Sequence, residues 1–308
     1  MHRLRLVVAY VLCASIWGTT WFAIRRCIGA GGYPTFTAAA LRFALATAVL
    51  AAIYAAGRGR PGPRSVRQLA ALAGCGVLCA IGYALVYLGE ESISGGLAAV
   101  LYGTFPLCTA LFATVGGVEK VRPAAVVGAL LAMAGIVVIF ADRLDVSRSQ
   151  GVAVLVVLGS VLVSALYTTL MKRAAAGVHP LASTGVFLGT TALVLGAVGL
   201  AVDRKPIPWP PPVVPTAALV YLAIAGSVVV FVAYFYVLDR VSLMTVSTLV
   251  VIEPVIALAV DAAFEHGVTL VARSYAGIVL AGVGVTVSVL RMPSRERAPQ
   301  PSAPGAAS

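Results

Sequence analysis

Ten long apolar runs, separated by short polar breaks, constrain this chain more than anything else in it. Cutting the sequence at its charge and Pro/Gly clusters places them at about 6–24, 34–56, 68–89, 94–117, 124–141, 150–171, 181–202, 214–238, 242–264 and 270–290. Each is near the ~20 residues with which a helix crosses a ~30 Å hydrocarbon layer. Hydrocarbon offers no partner to a backbone N–H or C=O, so only helices and closed barrels span it. These runs are too long and too evenly apolar for barrel strands. Composition agrees, because 60% of the 308 residues are hydrophobic and 11% charged, against roughly 45–50% apolar in soluble domains. The predicted fold is all-α and integral to a membrane, with ten transmembrane helices.

The first run has the position of a signal peptide. It ends at Arg25-Arg26, however, and nine more runs follow, so it is predicted to remain as the first helix. Cys13, Cys27, Cys75, Cys79 and Cys108 lie in or beside apolar runs, with no Cys-x-x-Cys pair and no histidine cluster nearby. That pattern suits packing and predicts neither a metal nor a cofactor. The net charge of +11 is spread over short loops and ends instead of one face, so no nucleic-acid partner is expected. Fourteen Lys/Arg fall on the side that holds both termini and seven on the other. The positive-inside rule then places both termini in the cytoplasm of a multi-pass plasma (inner) membrane protein.

Sliding the chain on itself by 148 residues matches Tyr87 with Phe235, Glu91 with Asp239, Ser94 with Ser242, Leu101 with Leu249 and Pro106 with Pro254. A shift of 149 overlays residues 131–137 on 280–286 and pairs Gly135 with Gly284. This is an internal repeat, predicted as five-helix units over 1–148 and 149–291. Five helices is an odd number, so the second copy must enter from the opposite face. Inverted repeats of this kind let secondary transporters build a site near the bilayer midplane. Residues 57–66 are expected to be a cytoplasmic connector, 206–215 a rigid outer loop, and 292–308 a disordered cytoplasmic tail.

Several stretches are similar to known ones. Trp17-Gly18-Thr19-Thr20-Trp21 and Leu41-Arg42-Phe43 resemble the first two helices of EamA-type members of the drug/metabolite transporter superfamily. Thr104-Phe105-Pro106-Leu107, Ile252-Glu253-Pro254-Val255, Glu119 and Glu265 are similar to the signature of that family's two repeats. The resemblance implies ten helices, cytoplasmic termini, and export or exchange of small metabolites, amino acids or drugs.

Arg42 and Glu253 are the two ionisable residues placed deep in the hydrocarbon, where such groups face the bundle interior and have partners. A rise of 1.5 Å per residue sets them about 12 Å and about 16 Å below the outer boundary, depths compatible with pairing. One reading makes them a structural ion pair, or bonds them to carbonyls near a kink in the ninth helix. The other has Glu253 bind a cationic substrate or a coupling proton. Pro106 and Pro254 are predicted mid-helix, each freeing a carbonyl four residues back, at Tyr102 and Val250, and serving as a hinge or only as a packing kink. Trp17, Thr20, Tyr83, Tyr87, Tyr102, Tyr167, Tyr234 and Ser247 offer polar or aromatic surface to a small amphipathic ligand, or pack helices and anchor interfaces. Gly185-x-x-x-Gly189 permits close helix contact, within a monomer or across a homodimer. Asp261, Glu265 and His266 are expected to be surface charges.

No catalytic residue is predicted. The sequence lacks paired acidic motifs for divalent metal and a Walker A loop, which leaves lipid-phosphate transferase and ATPase chemistry without support. The preferred expectation is a secondary transporter working by alternating access in a lipid bilayer. The alternative is a membrane assembly or regulatory protein of the same fold.

Overall fold

The computed structural model describes residues 2–57, 61–93, 95–141, 150–264 and 272–290. Every regular element among them is helical. In chain order they are α1 (His2–Ile28), α2 (Thr35–Ala56), α3 (Val66–Glu90), α4 (Gly95–Tyr102), α5 (Phe105–Val115), α6 (Pro123–Phe140), α7 (Gly151–Ala174) and α8 (Pro180–Val202). Then come α9 (Val213–Ala223), a π-helical segment (Ile224–Val229), α10 (Val230–Arg240), α11 (Leu243–Ser247), α12 (Leu249–Phe264) and α13 (Ala272–Leu290). Helix thus covers all ten apolar runs. Six stretches are long and apolar enough to cross a bilayer, while Val100–Val115, Pro123–Ile139, Leu243–Ala257 and Arg273–Ser288 are apolar but shorter. The tail 292–308, Arg143, Arg148, Glu265, His266 and the Asp261 side chain lie outside the described residues.

Local chemistry explains where the helices start and stop. The Ser65 side chain accepts the Gln68 N–H at 3.1 Å, and the Gln68 side chain accepts the Arg64 N–H at 2.9 Å, a close variant of the capping box. Asp203, just past α8, accepts the Thr37 N–H and hydroxyl, both at 2.7 Å. That places a carboxylate on the positive end of the α2 dipole. The mid-helix kink predicted at Pro106 does not form. The fourth run breaks at Gly103-Thr104, and Pro106 stands in the first turn of α5, where a missing N–H is tolerated. Pro254 lies inside α12.

The two halves interlock symmetrically. α1 packs on α10 and α12, and α7, its counterpart, packs on α3 and α5. α2 and α8 run antiparallel, with Thr37 against Gly199, Ala40 against Gly196 and Thr47 against Gly189. Gly189 therefore serves packing within the chain, and nothing lies within 4 Å of the Cβ position at Gly185. The tightest approach is between α6 and α13. Gly128 sits on the Gly284 carbonyl, and Gly135 on the Gly277 carbonyl and the backbone of Ala281. Rising numbers on one helix meet falling numbers on the other, so these equivalent helices also run antiparallel.

Candidate functional site

A cavity of about 90 Å³ opens between the halves. Its wall contains Trp17, Thr20, Arg42, Tyr83, Tyr102, Tyr167, Tyr234 and Glu253, residues singled out from the sequence. Trp21, Phe105, Ser164 and Thr168 are lining residues that the sequence did not single out as site candidates, and Val250 joins them. Val250 is the residue whose carbonyl Pro254 leaves without its helical donor, so the ninth run brings that turn to the cavity. Tyr87 is fully buried and stands beside the Arg42 guanidinium, outside the lining. Ser247 is spent on the Met244 carbonyl at 2.8 Å and does not reach the cavity.

Of the readings offered for Arg42 and Glu253, the ion pair does not form among the described residues. Arg42, 1% exposed, donates from Nε to the Ser227 hydroxyl at 2.9 Å and from Nη2 to the Gly226 carbonyl at 2.8 Å. Both acceptors belong to the π-helical segment. A π turn widens the backbone ladder, and such bulges gather at functional sites. Ser227 closes its own hydroxyl onto the Leu222 carbonyl, five residues back, at 2.9 Å. The guanidinium also stacks over Phe43 and Tyr83, 4.9 and 5.3 Å from the ring centroids. Aromatic faces, one hydroxyl and one carbonyl thus replace the carboxylate as its environment. In the second half, Thr191 stands 149 residues on from Arg42, and its hydroxyl is shared between the Phe187 carbonyl of its own helix at 2.8 Å and the Gly76 carbonyl of the first half at 3.0 Å.

Glu253 is 6% exposed. The Trp21 indole lies beside it without completing a hydrogen bond. Around the two charged residues runs an aromatic cage. Trp17 meets Tyr234 at 4.9 Å and Phe231 at 5.5 Å, Trp21 meets Tyr102 at 5.5 Å, and Tyr167 meets Phe187 at 5.4 Å. Hydroxyls are tied into the walls: Tyr102 to Ser160 at 2.5 Å, and Tyr234 to Thr168 at 3.1 Å. Among the described residues, three donors in the wall keep no hydrogen-bond acceptor, namely Arg42 Nη1, Trp17 Nε1 and Trp21 Nε1. Unpaired buried polar groups are costly, which marks this wall as one suited to a polar ligand.

Beyond the cavity, two glutamates stand at opposite ends of the bundle. Glu90 shares the α3 stripe of Tyr83, Val86 and Tyr87, and both its carboxylate oxygens are buried without a hydrogen bond. At the other end, Glu119 pairs with Lys172 at 2.8 Å and accepts the Leu243 N–H at 2.8 Å. Lys172 also donates to the Leu238 carbonyl at 3.0 Å and to the Val241 carbonyl. One loop of the first half is thereby fastened to three helices of the second.

Comparison with known proteins gives a consistent result. The EamA-like transporter family matches residues 5–141 and 151–290, one copy per half. A protein of Escherichia coli named uncharacterized inner membrane transporter YedA is 31% identical over 250 residues, 79% of this chain and 77% of its own. An uncharacterized transporter of Archaeoglobus fulgidus is 25% identical over 91% of this chain and 98% of its own. A probable terminal-alkyne amino-acid exporter of Streptantibioticus cattleyicolor is 28% identical over 84% of this chain and 85% of its own. One solved crystal structure shares the fold with a TM-score of 0.74 at 21% identity, covering 92% of this chain and 96% of that one.

Proposed function

Because the chain belongs to the EamA-like transporter family, we propose that it is a secondary transporter that exports or exchanges a small zwitterionic solute across the plasma membrane. The observation that carries this reading is the cavity wall. It sets an arginine with an unpartnered Nη1 and a buried carboxylate, Glu253, into one aromatic enclosure built from both halves. A solute with a carboxylate at one end and an ammonium at the other answers both, and its apolar part meets the rings. An α-amino acid is such a solute, in keeping with the name of the Streptantibioticus relative. Counterflow into liposomes, screened with labelled amino acids, organic cations and lipophilic drugs, tests it. Acceleration is expected for a zwitterionic amino acid. Failure of every class would favour the assembly or regulatory alternative.

In this reading all ten apolar runs cross the bilayer, both termini are cytoplasmic, and the two halves exchange access to the cavity. Protons are the proposed coupling ion and Glu253 their carrier, since a carboxylate in hydrocarbon requires a partner or a proton. Glu253→Gln is expected to abolish uptake driven by a pH gradient, with folded protein still in the membrane. The same dependence on pH in wild type and variant would remove this role.

The Glu119–Lys172 pair closes the cytoplasmic end. Lys172→Met leaves Glu119 without its cation and frees the Leu238 and Val241 carbonyls, so the closed end loosens. A cysteine placed by Thr168→Cys, one turn from Lys172 on the cavity side, is expected to react with an impermeant maleimide from the cytoplasmic face several-fold faster once Lys172→Met is added. Unchanged labelling would show that the pair seals nothing.

A further inference from the structure

A second concavity among the described residues is larger than the central one. A groove of about 810 Å³ runs down the outside of the bundle between α1, the start of α8 and the π-α10 stretch. Its bed is apolar, with Val8 and Leu12 on one bank and Val228, Val229, Val232 and Ala233 on the other. At one end the lining changes character to Arg5, His179, Tyr236 and Arg240. From Val228 to Arg240 the helical rise amounts to about 18 Å, near half of a ~30 Å hydrocarbon layer. The groove is therefore about as long as one leaflet is thick, and its cationic end lies at headgroup level.

We propose that this groove holds one anionic phospholipid of the adjacent leaflet, with an acyl chain along the apolar bed and the phosphate between Arg5 and Arg240. Charge complementarity selects the occupant. Arg240 is fixed at the rim by stacking 3.8 Å over the Tyr236 ring, and its bonds to the Tyr236 carbonyl and to Asp239, at 3.0 and 3.1 Å, both use Nη1. Nε and Nη2 remain to donate to phosphate oxygens. Asp239 offsets part of this charge from the solvent side, being 60% exposed. Arg5 is exposed and has no carboxylate partner among the described residues. The bed also abuts the central site, because Val228 and Val229 end the π-helical segment whose Gly226 and Ser227 hold Arg42.

The full chain reconstituted in nanodiscs with equal phosphatidylglycerol and phosphatidylcholine, then analysed by native mass spectrometry, tests the proposal without reference to transport. Wild type is expected to retain one phosphatidylglycerol in preference to phosphatidylcholine. A cation near an anionic headgroup contributes roughly fivefold, so Arg5→Gln/Arg240→Gln is expected to weaken retention about 25-fold. Ala233→Trp, which fills the bed and spares both arginines, is expected to lower retention as well. Equal retention of the two lipids by wild type, or undiminished retention in either variant, would overturn the proposal. Should the double variant fail to fold, Ala233→Trp alone decides it.

Discussion

Gly135→Val is expected to yield almost no folded, monodisperse protein, whereas Gly282→Val on the same pair of helices inserts and melts like wild type. At Gly135 a Cβ would meet the Ala281 N–H and the Gly277 carbonyl, the latter at 2.7 Å, and at Gly282 it meets nothing within 4 Å. Overpacking a core ordinarily costs ~1–3 kcal/mol when side chains can yield. Here the obstructing atoms are backbone, which cannot rotate away, so the cost is set at or above ~3 kcal/mol. Without a hydrophobic drive between helices in lipid, such close approach is what holds α6 to α13. Detergent-extracted protein followed by fluorescence-detected size exclusion and thermal unfolding measures it. Equal recovery and equal Tm for the two variants would show that the seam is not tight.

Arg42→Met is expected to slow counterflow by roughly 100-fold while leaving the protein folded. Methionine keeps much of the stem's volume, and Ser227 keeps its bond to Leu222, so the loss falls on the charge. An ionic hydrogen bond contributes ~1.5–3 kcal/mol, and each ~1.4 kcal/mol is tenfold. Arg42→Lys should rescue little, because a point charge cannot bridge the Ser227 hydroxyl and the Gly226 carbonyl with the geometry of a planar guanidinium. Counterflow within a few-fold of wild type in Arg42→Met would remove the arginine from the transport site.

The long-range plan was legible because it is written in quantities the sequence displays directly. Apolar length announced the helices, and the offset of 148–149 residues announced the duplication. Depth along a helix also placed Arg42 and Glu253 at comparable levels, and both line the cavity. What failed was partner choice. Pairing of Arg42 with Glu253 was one reading, because opposite charges in lipid invite it, yet Arg42 finds its acceptors in a π turn 184 and 185 residues away. A π turn is one residue of extra slack in a helix, and a Gly-Ser pair in an apolar run does not announce it. Likewise Pro106 looked like an interior proline because the run continues through Gly103-Thr104, and only the observed break turns it into a helix-starting residue. The Glu119–Lys172 pair joins a loop to a helix end, and no periodicity links two such positions.

The unequal treatment of Gly226 and Gly76 has a geometric consequence. In a strictly two-fold enclosure, any bound molecule would have two poses of equal energy, related by the dyad. Here one carbonyl receives a guanidinium and its counterpart a threonine hydroxyl, so the electric field across the enclosure has a direction. In the proposed transport, a guest with unlike ends would be held one way round and would present the same end to the same exit each time.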